Sequence, residues 1–318
     1  MKLIVQVPCL NEEASLPETL RAIPRSIPGI DRVEVLIVDD GSTDRTIEVA
    51  RAHGADHVVR FTRRKGLAAA FMAGLDASLR LGADVIVNTD ADNQYPGHEI
   101  PRLIAPILAG EADMVVGDRG VAEVQHFSPT KRLLQRLGSW VVRKVSGTRV
   151  ADATSGFRAF TRDAALRINI VSEFTYTLES IIQAGKKKLA IAHLPIETKQ
   201  TRPSRLFGST WEYLKRSGAT IVRIYAMYEP FRVFVVLGSV LLAGGTLLGV
   251  RYAYFWWIGE IRGHLQSAIL SVLLLILGFL TMQWGLMADL IASNRKLIED
   301  LLYRVRKQEL EREADRRG

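Results

Sequence analysis

Short apolar runs alternate with longer segments of helical periodicity over residues 1 to about 200. The apolar runs have the length of strands that are buried on both faces of a sheet. This alternation predicts an α/β domain with a mostly parallel sheet and helices on both faces. The predicted strands are residues 3–7, 33–38, 57–61, 84–88 and 114–116, and the predicted helices are residues 15–23, 44–53, 66–81 and 101–108.

Two long uncharged stretches follow this domain, at residues 233–250 and 265–288. A helix needs roughly 20 residues to span a bilayer, and each stretch has about that length. The alternative is a pair of buried core helices or a hairpin lying within the membrane. We expect two membrane-spanning helices within a transmembrane region at 231–292.

Basic residues flank the two stretches on the sides away from their connecting loop. No signal-peptide pattern precedes the first predicted strand. The positive-inside rule therefore predicts a two-span cell-membrane protein whose large domain and both termini are cytoplasmic. Cys9 is the one cysteine of the sequence, so an internal disulfide is excluded, as suits a reducing compartment.

The formal net charge of +8 points to an anionic partner. Cations and aromatic side chains are interleaved just before the first apolar stretch, an arrangement that suits either nucleic acid or anionic lipid. The neighbouring apolar stretches favour lipid, so we expect an amphipathic interfacial helix at 206–230 and no nucleic-acid partner. The tail, 293–318, predicts a charged cytoplasmic helix, and its use in homo-oligomer assembly is left open.

Two carboxylates, Asp90 and Asp92, stand one residue apart where the fourth predicted strand ends. Residues i and i+2 of an extended segment point the same way, so both can present oxygens to one hard cation. Mg²⁺ or Mn²⁺ prefers a few carboxylates and completes its shell with phosphate oxygens. For this triplet alone, the alternative is an Asp-rich turn that only ends a strand.

Four short segments follow one another along the predicted α/β domain, the first three at or near the end of an apolar run. They are Pro8-Cys9-Leu10-Asn11-Glu12-Glu13, Val38-Asp39-Asp40-Gly41-Ser42, Asp90-Ala91-Asp92-Asn93-Gln94 and Thr154-Ser155-Gly156-Phe157-Arg158. Together they resemble the family-2 glycosyltransferases of GT-A fold, and more narrowly their dolichol-phosphate mannose synthase and polyprenyl-phosphate glycosyltransferase branch. One such segment is a weak signal, but four in order at the right spacing are a strong one. The resemblance covers a predicted GT-A domain at 1–205.

The resemblance implies a metal-dependent, inverting transfer of a hexose from a nucleotide diphosphate sugar to a polyprenyl or dolichyl monophosphate. It assigns Asp92 and Gln94 to Mg²⁺ or Mn²⁺. It assigns Asp90 to the nucleotide sugar near the metal, so Asp90 is expected to take part in both metal and substrate binding. Ala91 is expected to lie in the substrate-binding site.

The other strand ends are expected to hold the nucleotide, because ligands of such sheets bind beyond the carboxyl ends of the strands. Glu12 and Asp40 are candidates to accept hydrogen bonds from the base and ribose, with Pro8 and Leu10 packing beside the base. The alternative for both carboxylates is helix capping. The backbone amides of Lys65-Gly66, at the start of a predicted helix, are candidates to meet phosphate.

A lipid phosphate arrives already ionised, so the acceptor side needs cations and no general base. The candidates are Arg119, Lys131, Arg132 and Arg202, because guanidinium groups grip phosphate in a forked geometry. Asp152 is interpreted as a structural or orienting group.

Two segments depart from the mannose-synthase pattern. Gln135 stands where family members often have Ser, and residues 201–207 lack the usual Gly-rich basic stretch. A UDP-hexose or UDP-N-acetylhexosamine is therefore at least as plausible a donor as GDP-mannose. The alternatives are a family-2 glycosyltransferase with another acceptor and a noncatalytic membrane adaptor that retains the fold.

Overall fold

The protein was analysed as a computed structural model, which describes residues 1–119, 140, 143, 146–148, 152–171, 176–198, 223, 228–260 and 265–315. The chain forms two compact units. The first comprises Met1–Ser217 together with Asp300–Gly318, and the second comprises Gly218–Glu299.

The first unit is built on a sheet that has seven strands within the described ranges, in the order β3-β2-β1-β4-β6-β5-β7. Strand β6 runs antiparallel to β4 and β5, and the other pairs are parallel. The strands are β1 (Lys2–Cys9), β2 (Arg32–Asp39), β3 (His57–Arg60), β4 (Val85–Asn88), β5 (Met114–Asp118), β6 (Arg158–Thr161) and β7 (Ile191–Pro195). The helices of this unit are α1 (Leu16–Ala22), α2 (Thr46–Ala52), α3 (Leu67–Arg80), α4 (Ile100–Leu108), α5 (Arg162–Arg167) and α6 (Thr177–Lys186).

The centre of the sheet is almost wholly buried, which explains the continuous apolar runs of β1 and β2. These two strands pair in parallel from Lys2 opposite Arg32 to Cys9 opposite Asp39. On its other side β1 pairs with β4, which ends with Asn88 opposite Gln6. The loops that follow β1, β2 and β4 therefore leave the sheet at one edge.

The predicted α/β architecture with a mostly parallel sheet is confirmed, and the five predicted strands and four predicted helices are all present with shifted ends. Strands β6 and β7 were not predicted. Strand β6 begins with the charged Arg158 and has four residues, which is too short for a period-2 pattern to stand out.

Two long apolar helices follow, α7 (Pro230–Trp257) and α8 (Leu265–Asp315). Both are long and apolar enough to be candidate membrane spans, with mean hydropathies of 2.3 and 2.2, and few of their side chains are buried. Helix α8 continues through residue 293 without a break, so the second candidate span and the charged tail form one helix. The predicted interfacial helix at 206–230 lies almost entirely outside the described residues.

The last part of α8 packs against the α/β unit, although its sequence predicts a solvated helix. The Tyr303 hydroxyl donates to Asp163 (2.7 Å), and the Arg167 guanidinium lies 4.7 Å from the centre of the Tyr303 ring. Arg80 of α3 pairs with Glu313. The end of the chain therefore contributes to the stability of the α/β unit.

We expect Tyr303→Phe to lower the melting temperature of the detergent-solubilised protein by about 2 °C, because one hydrogen bond to a charged group is worth about 1.5 kcal/mol. Asp163 keeps its ion pair with Arg167 in this variant. Tyr254→Phe, at the exposed end of α7, is the matched control and should not change the melting temperature. Equal melting curves for the two variants would show that the tail contact does not stabilise the unit.

Candidate active site

Three oxygen-bearing side chains with few hydrogen-bond partners lie directly beyond the end of β4. The Asp90 carboxylate and the Gln94 side-chain amide take part in no hydrogen bond with the described residues, and Asp92 accepts one from the backbone N–H of Gln94 (3.1 Å). Asn93 turns the chain with φ of 57°, a left-handed conformation that asparagine tolerates. The turn therefore leaves three half-buried side chains with oxygens available to a ligand.

The two carboxylates of this turn are close enough to repel each other. Burial raises the pKa of Asp90 to about 7, and the charge of Asp92 adds to the shift, while Arg119 and Arg158 act in the opposite direction. A divalent cation between two such carboxylates removes the repulsion, and hard oxygen donors are the ligands that Mg²⁺ and Mn²⁺ prefer. The donor set therefore fits the metal that the sequence predicts.

The backbone of Gly156 lies directly against Asp90. A Cβ at this position would lie 2.9 Å from both Asp90 carboxylate oxygens and 3.0 Å from the Tyr176 hydroxyl. Gly156 is held from two sides, because its N–H donates to the Tyr95 hydroxyl (3.2 Å) and its carbonyl accepts from Asn88 Nδ2 (2.8 Å). Only glycine leaves room for the carboxylate here.

A buried polar layer supports this contact from inside the domain. Gln6 Nε2 donates to Asn88 Oδ1 (2.8 Å), and Asn88 Nδ2 also donates to the Tyr176 hydroxyl (2.9 Å). The Tyr176 ring stacks on Phe71 with centroids 4.0 Å apart. Buried polar networks whose members are bonded to one another resist rearrangement. The layer therefore holds the backbone of Gly156 in place beside Asp90.

Arg158 is fully buried and ties two segments of the site together. Its guanidinium donates to the carbonyls of Ser155 (2.8 Å) and Thr177 (2.7 Å), and to Ser180 Oγ (2.5 Å). Burial lowers the pKa of Arg158 to about 10. Within the part of the chain that the structure describes, no carboxylate forms a salt bridge with it. Its positive charge opposes the rise in the pKa of Asp90, and the charge of Asp152 raises the pKa of Arg158 itself.

Arg119 is predicted to bind the phosphate of the acceptor lipid. One edge of its guanidinium is anchored by hydrogen bonds to the protein. Its Nε donates to Asp152 Oδ2 (2.7 Å), and its Nη2 donates to Asp152 Oδ1 (3.1 Å) and Thr154 Oγ1 (2.7 Å). Burial works against ionisation of Asp152, but the hydrogen bonds and charge of Arg119 outweigh it and hold the pKa of Asp152 below its usual value. An ionised carboxylate bonded in this way is a poor general base, which supports its interpretation as an orienting group.

The predicted nucleotide residues have structural partners of their own. Asp40 accepts hydrogen bonds from the backbone N–H groups of Lys65 (2.6 Å) and Gly66 (3.0 Å), just before α3. These two amides are therefore not the free phosphate donors that the sequence suggested. Glu12 accepts a hydrogen bond from the Ser15 hydroxyl. Both carboxylates bond to groups beside the start of a helix without capping it, and their contact with a nucleotide stays a prediction.

The remaining predicted site residues divide between the strand edge and the undescribed segments. Pro8 is buried at the end of β1, and Leu10 is half-buried beyond it. Ala91 is buried, and its carbonyl accepts from Thr19 Oγ1 (2.9 Å). Four acceptor-side residues lie outside the described residues, and their roles stay predictions: Lys131, Arg132, Gln135 and Arg202.

Sequence reasoning missed Asn88 and Tyr176, and it quoted Gly156 and Arg158 without assigning them a role. Tyr176 lies in no sequence motif, and its place in the site becomes visible only from its contacts in the folded structure. The motif around Gly156 could have suggested a close approach of the backbone to a ligand or a side chain.

Comparison with solved structures supports the fold. The chain superimposes on glucosyl-3-phosphoglycerate synthase from Mycobacterium tuberculosis, crystallised with Mn²⁺, UDP-glucose and phosphoglyceric acid, with a TM-score of 0.55. The match has 24% sequence identity and covers 70% of this chain and 77% of that structure. At this identity the likeness shows a shared fold.

Comparison with relatives of known name identifies the family. The chain is 32% identical over 176 residues to the undecaprenyl-phosphate mannosyltransferase of Micrococcus luteus, covering 54% of this chain and 70% of the relative. It is 29% identical over 260 residues to the undecaprenyl-phosphate 4-deoxy-4-formamido-L-arabinose transferase of Salmonella choleraesuis. That match covers 78% of this chain and 75% of the relative. These relatives confirm the predicted resemblance to the polyprenyl-phosphate branch. Because the model of glycosyl transferase family 2 also matches residues 4–168, the chain belongs to that family and is a glycosyltransferase.

Proposed function

We propose that the protein transfers a hexose from a nucleotide diphosphate sugar to a polyprenyl phosphate at the cytoplasmic face of the membrane, with Mg²⁺ or Mn²⁺ as cofactor. One observation carries the proposal: the side-chain oxygens of Asp90, Asp92 and Gln94, which share a single hydrogen bond within the described residues, lie near the anchored cation of Arg119. This arrangement suits a reaction in which an anionic lipid phosphate attacks the sugar of an anionic nucleotide donor. The relatives named for undecaprenyl-phosphate transfer support the acceptor class.

On the donor side, Asp92 and Gln94 would hold the metal, and Asp90 would face both the metal and the sugar. A bound divalent cation offsets the negative charge that develops on the leaving diphosphate. Gly156 keeps Asp90 in place, because its backbone lies against that carboxylate. Glu12 and Asp40 would contact the nucleotide at the neighbouring strand ends. The solved structure with Mn²⁺ and UDP-glucose on this fold supports the pairing of metal and nucleotide sugar.

On the acceptor side, the lipid phosphate is ionised and attacks without losing a proton to the enzyme. Arg119 would bind this phosphate, and Lys131, Arg132 and Arg202 would add positive charge. Attack from the face opposite the diphosphate inverts the configuration of the sugar. The engagement of Asp152 with Arg119 supports a reaction that needs no general base.

A membrane anchor suits a lipid acceptor. Helices α7 and α8 are the two candidate spans, and we propose that the basic segments flanking them keep the catalytic domain and both termini in the cytoplasm. A family-2 transferase with another acceptor remains the second candidate, and it would need a base that can take a proton from a hydroxyl group.

The direct test incubates the purified full-length protein with a polyprenyl phosphate, a panel of GDP- and UDP-sugars, and Mg²⁺ or Mn²⁺. We expect mass spectrometry to detect a glycosyl phosphoryl polyprenol with one of the donors, and no product in EDTA. Transfer to a hydroxyl acceptor with no lipid-phosphate product would contradict the proposal and favour the second candidate.

Asp92→Asn should abolish nearly all transfer, because it removes an anionic metal ligand while it keeps the side-chain volume. We expect turnover to fall at least about a hundredfold, an effect of about 2.7 kcal/mol on the barrier, with an unchanged melting temperature. Asp76→Asn on the exposed face of α3 is the control and should transfer at the wild-type rate. Wild-type activity of Asp92→Asn would remove the metal assignment.

Gly156→Ala should reduce turnover by about tenfold to a hundredfold, since the added methyl group must displace Asp90 or the loop, at a cost of about 1–3 kcal/mol. Gly244→Ala in α7 is the matched control, because its nearest neighbour would be 3.7 Å from the new Cβ. Steady-state turnover at saturating donor and lipid measures the effect. Equal turnover of the two variants would show that the fit of Gly156 against Asp90 is not required.

A further inference from the structure

We propose that Asp152 is a positioning residue that fixes Arg119 as the ligand of the acceptor phosphate and keeps it from pairing with Asp90. This inference rests on the proposed function. The oxygens of the Asp152 carboxylate are already bonded to Arg119 and Thr154, so Asp152 acts on the substrate only through Arg119.

The hydrogen bonds of Arg119 are distributed unevenly over its guanidinium. The Nε and Nη2 edge is bound to Asp152 and Thr154, whereas Nη1 makes no hydrogen bond within the described part of the chain. A guanidinium can grip an anion through two N–H groups in a fixed plane. Anchoring one edge therefore orients the plane and leaves the Nη1 donors for a phosphate.

Asp152 is itself held rigidly, as a positioning group must be. Its Oδ1 accepts from the backbone N–H of Thr154 (3.0 Å) and from the Thr154 hydroxyl (2.8 Å), in addition to Arg119. The side chain of Asp152 is 4% exposed, and that of Arg119 is 20% exposed. The pair is thus fixed at its carboxylate end and open to ligands at its guanidinium end.

The choice of partner for Arg119 matters because Asp90 and Arg119 attract each other. A guanidinium that lost Asp152 would be free to move toward the unbonded Asp90 carboxylate. That contact would occupy the oxygens that face the donor and would withdraw the cation from the acceptor. Asp152 therefore keeps the positive charge of the acceptor side separate from the negative charge of the donor side.

The test measures steady-state kinetics of Asp152→Asn with the lipid and the donor varied separately. We expect the KM for polyprenyl phosphate to rise about tenfold, as for the loss of one charge-assisted hydrogen bond, and turnover at saturating lipid to fall less than threefold. Asp56→Asn is the matched control, because it breaks another Arg–Asp pair, with Arg25 at 2.6 Å, just before β3 at the opposite edge of the sheet. It should leave both KM values unchanged.

Thr154→Val is a milder variant that keeps all charges and removes one partner of Arg119. We expect it to raise the KM for the lipid about twofold to threefold, by the loss of one neutral acceptor. This variant keeps the proposal testable if Asp152→Asn folds poorly. An unchanged KM for the lipid in Thr154→Val and in a folded Asp152→Asn would overturn the proposal.

A double-mutant cycle with Arg119→Ala decides whether Asp152 acts through Arg119. If it does, adding Asp152→Asn to Arg119→Ala should raise the KM for the lipid no further. Additive effects would overturn the proposal, and so would a loss of turnover with an unchanged KM, which is the result expected of a general base. Failure of the wild-type protein to glycosylate any polyprenyl phosphate would instead overturn the proposed function on which the inference rests.

Discussion

Two carboxylates held side by side at the end of β4 repel each other, and the surrounding structure keeps them together. Burial is the larger cause of the rise in the pKa of Asp90 to about 7, and the charge of Asp92 adds to it. The backbone of Gly156 lies against one of them, supported by the buried layer of Gln6, Asn88 and Tyr176. We propose that a divalent cation bound with a diphosphate relieves this repulsion.

Two arginines act on the carboxylate of Asp90, and they differ in their burial. Arg158 lies inside the domain, where it is bonded to carbonyls and hydroxyls and contributes charge without contacting solvent. Arg119 is partly exposed and anchored by Asp152. Both lower the cost of ionising Asp90, but only Arg119 is placed to meet a ligand. In the proposed function, this division separates the charge that stabilises the site, on Arg158, from the charge that would bind the acceptor phosphate, on Arg119.

The sequence predicts the parts of the site that are local in the chain. The strand that ends at Asn88 and the spacing of Asp90 and Asp92 place two carboxylates on one turn, because residues two positions apart in the chain stay close in space. The extended segment expected from the sequence is a turn in the structure. The position of Gly156 beside Asp90 depends on Asn88, 68 residues earlier, and the docking of Tyr303 on Asp163 spans 140 residues. No periodicity encodes contacts at such separations. The pairing of Arg119 with Asp152, 33 residues apart, was likewise not evident, although both residues were singled out.

We propose above all that Asp92 and Gln94, with Asp90 beside them, hold a divalent cation together with a nucleoside diphosphate. Electron paramagnetic resonance of Mn²⁺ titrated into the full-length protein measures this directly, with and without UDP or GDP. The account predicts that one of the two nucleotides tightens Mn²⁺ binding at a single site, because diphosphate oxygens complete the metal shell. Mn²⁺ binding that is absent, or that neither nucleotide changes, would contradict it.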